Sequence, residues 1–508
     1  MKYNFFKPFL AIATGTLLLA GTGCNKLEDF GDTNLNPLGS TSPITAALLT
    51  NAQVSLGGTA VSVRPAIFVQ YVAETQYTDV SLYSEPKLEF GGTFSGPMYD
   101  LQSIINRNSN PATAAANTGS GSNANQIAVA KIMMTYYMWT TTDRWGDVPY
   151  DEALKGAGNF TPKFDEQSKI YERMVTDLKA AVVGFDAGLP VRGDIMYGGD
   201  AAKWKKLANS LRMQIALRLS KKFPNAGQYA ATQFAAAAND PAGFIASNAD
   251  NFTIKYPGGA AYRNPWFDTY NGRSDYAFSK TFADILGNMG DSRRSAFGSA
   301  GTPFPYGLTR AQATTLPVSY SMVLDGPFRT ESSPVVVISA ANTLLTLAEG
   351  LERGWTTVTG YTAQSAYEAG VTASFDQWGI SGAAAYVAGS AAKYGTGTGG
   401  GTGIGVNSFN NIPAASNAVT TTNLQRIALQ RYIALFPDGT QAWSEWRRTG
   451  VPDIRATTLA TNDAAGKTIP RRYVYGQLEY SLNPAQLQVA IGRLTGGDVM
   501  NGKVWWDQ

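Results

Sequence analysis

Two carboxylates in this 508-residue chain have a spacing that would suit acid–base catalysis or metal binding. They are Asp143 and Asp147, four residues apart. Paired carboxylates serve as general acid and base, and they also contribute to calcium sites. Gly146 and Pro149 favour a turn here, and Asp side chains bond to backbone amides in turns. We therefore favour a structural role for the pair, with acid–base or calcium chemistry as the alternative.

Aromatic and planar polar side chains alternate in a second segment, at residues 262–276. An aromatic ring can lie under the C–H face of a sugar ring, while amide, carboxylate and guanidinium groups bond to the sugar hydroxyls. The tyrosines and the tryptophan would supply the aromatic face, and Asn264, Arg273 and Asp275 the hydrogen bonds. The alternative is a loop anchored by Pro265 whose rings fold back onto the body of the protein. The candidate ligand contacts are Tyr262, Arg263, Asn264, Trp266, Tyr270, Arg273 and Asp275.

A further candidate contact region lies at residues 76–83 and contains Tyr77 and Tyr83. It repeats the combination of aromatic rings with planar polar groups, here Gln76 and Asp79, that is common in ligand sites. Which aromatic residues of the two regions contact a ligand is left open by the sequence.

Histidine is absent and cysteine occurs once, which excludes most catalytic machinery. There can be no Ser-His-Asp or Cys-His nucleophile system and no His-ligated zinc or haem. The class of enzyme that remains possible is a surface glycoside hydrolase that uses two carboxylates. No pair stands out among its candidates, which are Asp143, Asp147, Asp268 and Asp275. The net charge of +3 without a basic run argues against a nucleic-acid partner. We assign no cofactor and no metal ligand, and a structural cation stays open.

The single cysteine, Cys24, follows an apolar run with the length of a signal-peptide core. Lys2 and Lys7 supply the positive charge that precedes such a core. A lone thiol at this position is the acceptor arrangement of a bacterial lipoprotein, in which acyl chains anchor the protein to a membrane. An ordinary signal peptide with an accidental cysteine is the alternative. The expected divisions are a lipoprotein signal peptide at 1–23, a lipid-anchored tether at 24–42 and a single domain at 43–508.

Most of the remaining chain carries the periodicity of amphipathic helices. We expect Asp165 to open one helix and Asp200 to cap a longer one, because Asp accepts bonds from the free N–H groups of a helix start. Another helix is expected from Val335 to about Gly354. Helix pairs joined by short loops favour a mainly α fold of stacked tetratricopeptide-like hairpins. Long irregular stretches, which often carry function, are expected at about 103–125, 240–335 and 380–420.

The clearest motif is DRWGDVPYDEAL at residues 143–154. It resembles the D-x-x-G-D-I-P-Y-x-x-A stretch of the SusD/RagB family, and more specifically that of the SusD-like lipoproteins of Bacteroidota outer membranes. The number and order of further matches extend the resemblance over almost the whole chain after residue 24. These matches lie at residues 194–200, 204–212, 348–354, 370–375, 442–450, 470–472 and 505–506.

The resemblance implies a nutrient-binding lipoprotein and not an enzyme. Family members lie over a SusC-like TonB-dependent transporter and help to pass oligosaccharides, or in some relatives peptides, inward. The implied fold is a SusD-like α-α superhelix with a loop-rich ligand-binding region. The implied location is the outer membrane, with the protein anchored through Cys24 and facing the cell exterior. Glu28 and Asp29, close behind Cys24, favour that orientation.

Two other functions stay open beside nutrient binding. One is the carboxylate-based surface hydrolase, and the other is a scaffold that gates a transporter and binds no ligand of its own. The identity of the nutrient, glycan or peptide, is also open.

Overall fold

Helices with buried faces dominate the structure, which is a computed structural model of the chain. It describes residues 44–508 apart from 85, 260, 318, 396–410, 414–421 and 463–466. Within it, Thr45–Gln508 forms one compact unit. The expected signal peptide, Cys24 and the tether at 24–42 lie outside the described residues. No helix in the described ranges has both the length and the hydropathy needed to cross a membrane.

The helices are numbered in chain order. They are α1 Thr45–Val54, α2 Leu56–Ala60, α3 Val63–Phe68, α4 Gly91–Thr93, α5 Tyr99–Ser109, α6 Pro111–Asn117, α7 Asn123–Trp145, α8 Gln167–Gly184, α9 Ala201–Arg218, α10 Tyr229–Ala238, α11 Pro265–Tyr270, α12 Lys280–Asn288, α13 Arg294–Phe297, α14 Arg310–Ala313, α15 Ala340–Glu352, α16 Ala363–Gln377, α17 Ala383–Ala388, α18 Asn423–Ala434, α19 Gly439–Thr449, α20 Gln477–Leu482 and α21 Pro484–Gly492. A π-helical turn at Phe94–Met98 joins α4 to α5. Short 3₁₀ turns lie at Thr118–Ser120, Gly156–Gly158, Leu219–Lys221, Asn248–Asp250, Gly326–Phe328 and Trp505–Asp507. The strands are β1 Val72–Glu74, β2 Phe252–Ile254, β3 Tyr276–Phe278 and β4 Val335–Ile338.

Neighbouring helices pack as hairpins, as the periodicity predicted. Helix α7 packs on α8, α9 on α10, and α15 on α16. The pairs are joined side by side, because α9 also contacts α8 and α15, and α15 contacts α18. The buried faces of these helices supply much of the core. The mainly α architecture therefore agrees with the prediction.

One predicted helix start is confirmed and one is wrong. Asp200 caps α9, and its carboxylate accepts bonds from the N–H groups of Ala202 at 2.9 Å and Lys203 at 3.2 Å. Asp165 does not cap α8. Its carboxylate turns back to accept from the N–H groups of Tyr150 and Asp151, at 2.7 and 2.8 Å.

The helix predicted from Val335 begins five residues later. Residues 335–338 form β4, because four β-branched residues in a row prefer an extended backbone. Ser339 then caps α15, and its side-chain oxygen accepts from the N–H of Asn342 at 3.1 Å. The strand pairs antiparallel with β2, with Phe252 opposite Ile338.

Of the three predicted irregular stretches, the first is wrong, the second is broadly correct, and much of the third, at 380–420, lies outside the described residues. Residues 103–125 lie mostly within α5, α6 and the start of α7. Residues 240–335 contain only short helices and strands. One of those strands, β3, pairs antiparallel with β1, which places Glu74 opposite Tyr276. This pairing brings two distant loops to one edge of the helical body.

A buried cluster of charges joins three helices of the scaffold. Glu349 on α15 and Glu445 on α19 face Arg431 on α18 and Arg448 on α19. The Arg448 guanidinium lies 2.5 Å from the Glu349 carboxylate, and the Arg431 guanidinium lies 2.9 Å from that of Glu445. All four side chains are buried, so each charge depends on its partners for compensation.

Candidate functional site

Asp143 is buried at the end of α7 and bonded within the core. Its carboxylate accepts from the hydroxyl of Tyr171 and, at 2.8 Å, from the indole N–H of Trp506. The Arg218 guanidinium lies 3.3 Å away and balances its charge. These contacts are structural, as we favoured from the sequence.

Asp147 also has a structural role, as we favoured from the sequence, but its partners are distant along the chain. One carboxylate oxygen accepts from the backbone N–H of Gln167, the first residue of α8, at 2.8 Å. The other oxygen accepts from the guanidinium of Arg493. Burial raises the pKa of Asp147 above its ordinary value despite these two bonds. The carboxylate thus caps a helix from outside it, which explains why Asp165 is not needed as a cap.

The pairing of β1 with β3 brings together residues from both candidate ligand regions. Tyr77 lies just after β1, and Arg273 and Asp275 lie just before β3. The Tyr77 side chain is exposed, at 48%. The guanidinium of Arg273 lies 6.0 Å from the centre of the Tyr77 ring, and that of Arg310 lies 5.2 Å from it. We call Tyr77, Arg273, Asp275 and Arg310 the Tyr77 platform.

Hydrogen bonds hold the backbone beneath the Tyr77 platform. The Ser274 carbonyl accepts from the Thr75 hydroxyl at 2.7 Å and from the Tyr320 hydroxyl at 2.6 Å. The Arg273 guanidinium donates to the Asp275 carboxylate at 2.6 Å. The platform therefore combines an open ring with guanidinium and carboxylate groups, which suits recognition of hydroxyl-bearing ligands.

A buried carboxyl group lies at the base of the loop that carries Tyr77. Glu74, the last residue of β1, accepts from the N–H of Ser81 at 2.7 Å and from its hydroxyl at 2.8 Å. Burial raises the pKa of Glu74 to about 7, despite the two bonds from Ser81. The protonation state of the Glu74 carboxyl group therefore changes with pH near neutrality.

Tyr262 is the second candidate with an open ring. Its side chain is 54% exposed. The adjacent Arg263 guanidinium lies 2.8 Å from the Asp268 carboxylate and 4.0 Å from that of Glu331. Asp268 and Asp275, two of the hydrolase candidates, are thus each paired with an arginine.

The other candidate ligand contacts are held in the protein body. Tyr83 is fully buried, so it belongs to the core and offers no face to a surface ligand. Asn264 is also buried, because its side chain caps α11 and donates to the carbonyl of Ser333 at 2.8 Å. Tyr270 is half-buried, and its hydroxyl accepts from the N–H of Val323 at 2.9 Å. These placements correct the expectation that the three residues stand on an open loop.

Trp266 is buried too, at 1% exposure, so its ring is not the exposed sugar platform that we expected. The cap formed by Asn264 starts α11 here and turns the ring inward. It lines a pocket of about 120 Å³ between the loop region and the ends of α16 and α18. Phe328, Trp378, Phe436 and Asp438 also line this pocket, which we call the Trp266 pocket.

Sequence reasoning missed Arg310 on the platform and Trp378 and Asp438 in the pocket. Arg310 is the first residue of a short helix capped by Thr309, and only the fold brings it to Tyr77. Trp378 and Asp438 follow or precede helices, so their sequence context indicates only helix ends. No group of three or more potential metal ligands occurs among the described residues.

Comparison with known proteins gives the family. The family model SusD-like_2, described as "Starch-binding associating with outer membrane", matches residues 37–476. No curated protein sequence matches the chain.

Several solved structures have a fold similar to that of this chain. A chitin-binding protein is 26% identical, with a TM-score of 0.72 over 91% of this chain and 99% of its own. A chitin-binding SusD homologue from Flavobacterium johnsoniae is 24% identical, with a TM-score of 0.73 over 91% of this chain and 98% of its own. A SusD homologue from Bacteroides uniformis is 24% identical, with a TM-score of 0.73 over 92% and 98%. These likenesses confirm the predicted helical fold, and the family match shows that the chain belongs to the SusD-like family.

Proposed function

We propose that the protein binds an oligomeric carbohydrate at the Tyr77 platform and releases it unchanged. The observation that carries this proposal is the open Tyr77 ring, with the Arg273 and Arg310 guanidinium groups 5–6 Å from its centre. An open aromatic face beside fixed hydrogen-bonding groups suits a sugar ring with paired hydroxyls. The description of the family as starch-binding, and the chitin-binding relatives, support a carbohydrate as the ligand.

Several contacts favour binding over hydrolysis. Asp143 and Asp147 are bonded to Tyr171, Trp506, Gln167 and Arg493 inside the fold. A glycosidase needs two carboxyl groups that flank one bond, with one of them free to give a proton. Because these two carboxyl groups are already bonded to protein partners, the hydrolase is the weaker alternative.

The proposal also concerns the cellular location of the protein and the transporter that is its partner. We infer that acyl chains on Cys24 anchor the protein to the outer membrane, facing outward, where it passes its ligand to a SusC-like TonB-dependent transporter. The family description, which includes association with the outer membrane, and the position of Cys24 support this inference. Incorporation of labelled palmitate that is lost in Cys24→Ser would support the anchor. A transporter barrel that co-purifies with the protein would support the partner.

The ligand is tested by calorimetric titration of the full-length protein in a detergent without a sugar headgroup. The probes are α- and β-linked glucan oligomers, chitin oligomers and peptides, each in several lengths. We expect micromolar affinity that rises with oligomer length, because an open platform loses part of its binding energy in ordering the ligand. The bound oligomer should be recovered uncleaved.

Each other result favours a different function. Binding of peptides alone would replace the carbohydrate with a peptide ligand. Release of new reducing ends would restore the hydrolase. No binding to any probe would favour the scaffold that gates a transporter.

A further inference from the structure

The Trp266 pocket is small and reaches the protein surface. Its volume is about 120 Å³, well below the about 300–1,000 Å³ of pockets that enclose whole drug-sized ligands. Two of its lining residues, Pro327 and Pro334, are exposed, so the pocket opens to solvent beside them. It therefore has room for a substituent of a larger ligand that enters from the surface.

Four buried polar atoms in the lining residues have no hydrogen-bond partner. Two are donors, the indole N–H groups of Trp266 and Trp378, and two are acceptors, Oε1 of Gln377 and Oδ2 of Asp438. Trp266, Trp378 and Asp438 are each more than nine-tenths buried. Leaving such groups unpaired is costly, and a native fold pairs them with water or with a ligand.

The types of these atoms restrict what can pair with them. Two N–H donors disfavour a cation, and the Asp438 carboxylate disfavours an anion. A neutral group that both accepts and donates fits the set. Much of the remaining wall is apolar, formed by Leu324, Val335, Val337, Leu435 and Phe436, so the group also needs an apolar part.

We propose that the Trp266 pocket holds the acetamido group of an N-acetylated sugar. The carbonyl oxygen has two lone pairs for the indole N–H groups of Trp266 and Trp378. The amide N–H donates to Asp438 or Gln377, and the methyl group packs on the apolar wall. A hydroxyl group alone would leave that wall without a partner. This inference rests on the proposed carbohydrate binding, and it narrows the substrate class to N-acetylated glycans.

The first test compares ligands that differ only at the position of the acetamido group. Full-length protein in a detergent without a sugar headgroup is titrated with tri-N-acetylchitotriose, with cellotriose and with the free amine chitosan trimer. All three have the same linkage, and cellotriose carries a hydroxyl where the first carries the acetamido group. We expect tri-N-acetylchitotriose to bind at least tenfold more tightly than the other two, because a buried polar site rejects a ligand that leaves it unpaired.

The second test observes the pocket directly in the wild-type protein. The indole N–H resonances of ¹⁵N-labelled tryptophan are recorded while N-acetylglucosamine or glucose is added. The signals of Trp266 and Trp378, assigned from single Trp→Phe variants, should shift with N-acetylglucosamine and not with glucose. The titration itself uses the wild-type protein, and the two variants need only to fold well enough for their spectra to assign the signals.

The third test removes one donor and keeps a smaller aromatic ring in its place. Trp378→Phe should lose most of the preference for the N-acetylated trimer and bind cellotriose as the wild type does. The matched control is Trp446→Phe, since the Trp446 indole donates to the Pro452 carbonyl at 3.2 Å and takes no part in the pocket. That control should keep the full preference.

The outcomes separate this inference from the proposed function. Equal affinity for the three trimers, or indole signals that do not move, would overturn the acetamido pocket and leave water as its occupant, while carbohydrate binding would stand. A preference that survives in Trp378→Phe with unmoved signals would also overturn it, because the acetamido group would be recognised elsewhere. No binding of any glycan would overturn both proposals.

Discussion

The guanidinium group of Arg310, the first residue of α14, lies 5.2 Å from the centre of the ring of Tyr77, which follows β1. A cation at this distance is attracted to the ring and helps to hold it in place. Arg273 lies 6.0 Å from the same centre. An ordered ring loses less conformational freedom when a ligand binds, so this arrangement favours recognition by stacking.

Removal of the Tyr77 ring should weaken glycan binding without unfolding the protein. Truncation of a central aromatic contact costs about 1–2 kcal/mol, so we expect Tyr77→Ala to raise the Kd about five- to thirtyfold. The melting temperature should change little, because the side chain is 48% exposed. Titration with the best-bound oligomer and a thermal melt measure the two effects.

The matched control for Tyr77→Ala is Phe160→Ala. Phe160 is a 78% exposed aromatic residue outside the platform, and its removal should leave the Kd unchanged. An unchanged Kd in correctly folded Tyr77→Ala would show that the sugar binds elsewhere.

Glu74 should make the protein less stable as the pH rises toward neutrality. Burial raises its pKa to about 7 in the folded state, whereas the unfolded chain loses this proton near the ordinary value of 4.5. Between about pH 4.5 and 7 the folded state therefore binds the extra proton, and the free energy of unfolding falls by roughly 3 kcal/mol. Glu74→Gln keeps an acceptor for Ser81 and removes this loss.

We expect Glu74→Gln to be more stable than the wild type at pH 8, by about 1–3 kcal/mol, and of similar stability at pH 4. Urea unfolding at both pH values measures the difference. Glu172→Gln, an exposed glutamate on α8, should change the free energy of unfolding by less than about 0.5 kcal/mol at either pH. If Glu74→Gln is less stable than the wild type at pH 8, burial does not raise the pKa of Glu74 to about 7.

Glu349 should have the opposite dependence on pH. Burial alone would raise its pKa, but the guanidinium groups of Arg448, Arg353 and Arg431 outweigh burial and hold the pKa well below its ordinary value. The stability that this charge contributes is present above the ordinary pKa and is lost as the pH falls toward the folded-state pKa.

Glu349→Gln leaves buried guanidinium charge without its main partner, so we expect a loss of about 3–5 kcal/mol at pH 7. The gap to the wild type should narrow below about pH 4, where the glutamate of the unfolded wild-type chain takes up a proton while that of the folded protein still keeps its charge. Denaturant unfolding across that range tests both statements. Glu368→Gln, on the surface of the same hairpin, should have little effect at any pH. A gap that stays constant down to pH 2 would contradict this account.

Asp147 should be important for stability and unimportant for chemistry. Asp147→Ala removes the acceptor of the Gln167 N–H and the partner of Arg493, and we expect a loss of about 2–3 kcal/mol. Asp151→Ala, an exposed neighbour, should lose less than about 0.5 kcal/mol. Neither change should affect the release of reducing ends, which should be zero throughout. Cleavage by the wild type that stops in Asp147→Ala would identify an enzyme.

The scaffold was more predictable from the sequence than the site was. The Asp200 cap depends only on residues close to it in the sequence, and the structure contains this cap as predicted. The apolar spacing that continues into α15 predicts a helix from Val335, but the four β-branched residues at 335–338 favour a strand. Periodicity alone does not separate a short buried strand from the start of a helix.

The candidate site depends on contacts that have no local signal. Tyr77, Arg273 and Asp275 were each predicted as ligand contacts, but only the β1–β3 pairing places them side by side. Trp266 was expected on the surface because its neighbours are polar, yet Asn264 starts a helix there and the ring is buried. Whether a side chain is exposed depends on the path that the backbone takes at that residue. The amino-acid composition of a loop does not determine this path.

The bond between Trp506 and Asp143 spans 363 residues and joins the 3₁₀ turn Trp505–Asp507 to the final turn of α7. Arg447 also donates to the backbone carbonyl of Asp143, across 304 residues, at 2.7 Å. Pairings so distant along the chain are slow to form. The final turn of α7 is therefore covered late in folding, by groups that lie 304 and 363 residues further along the chain.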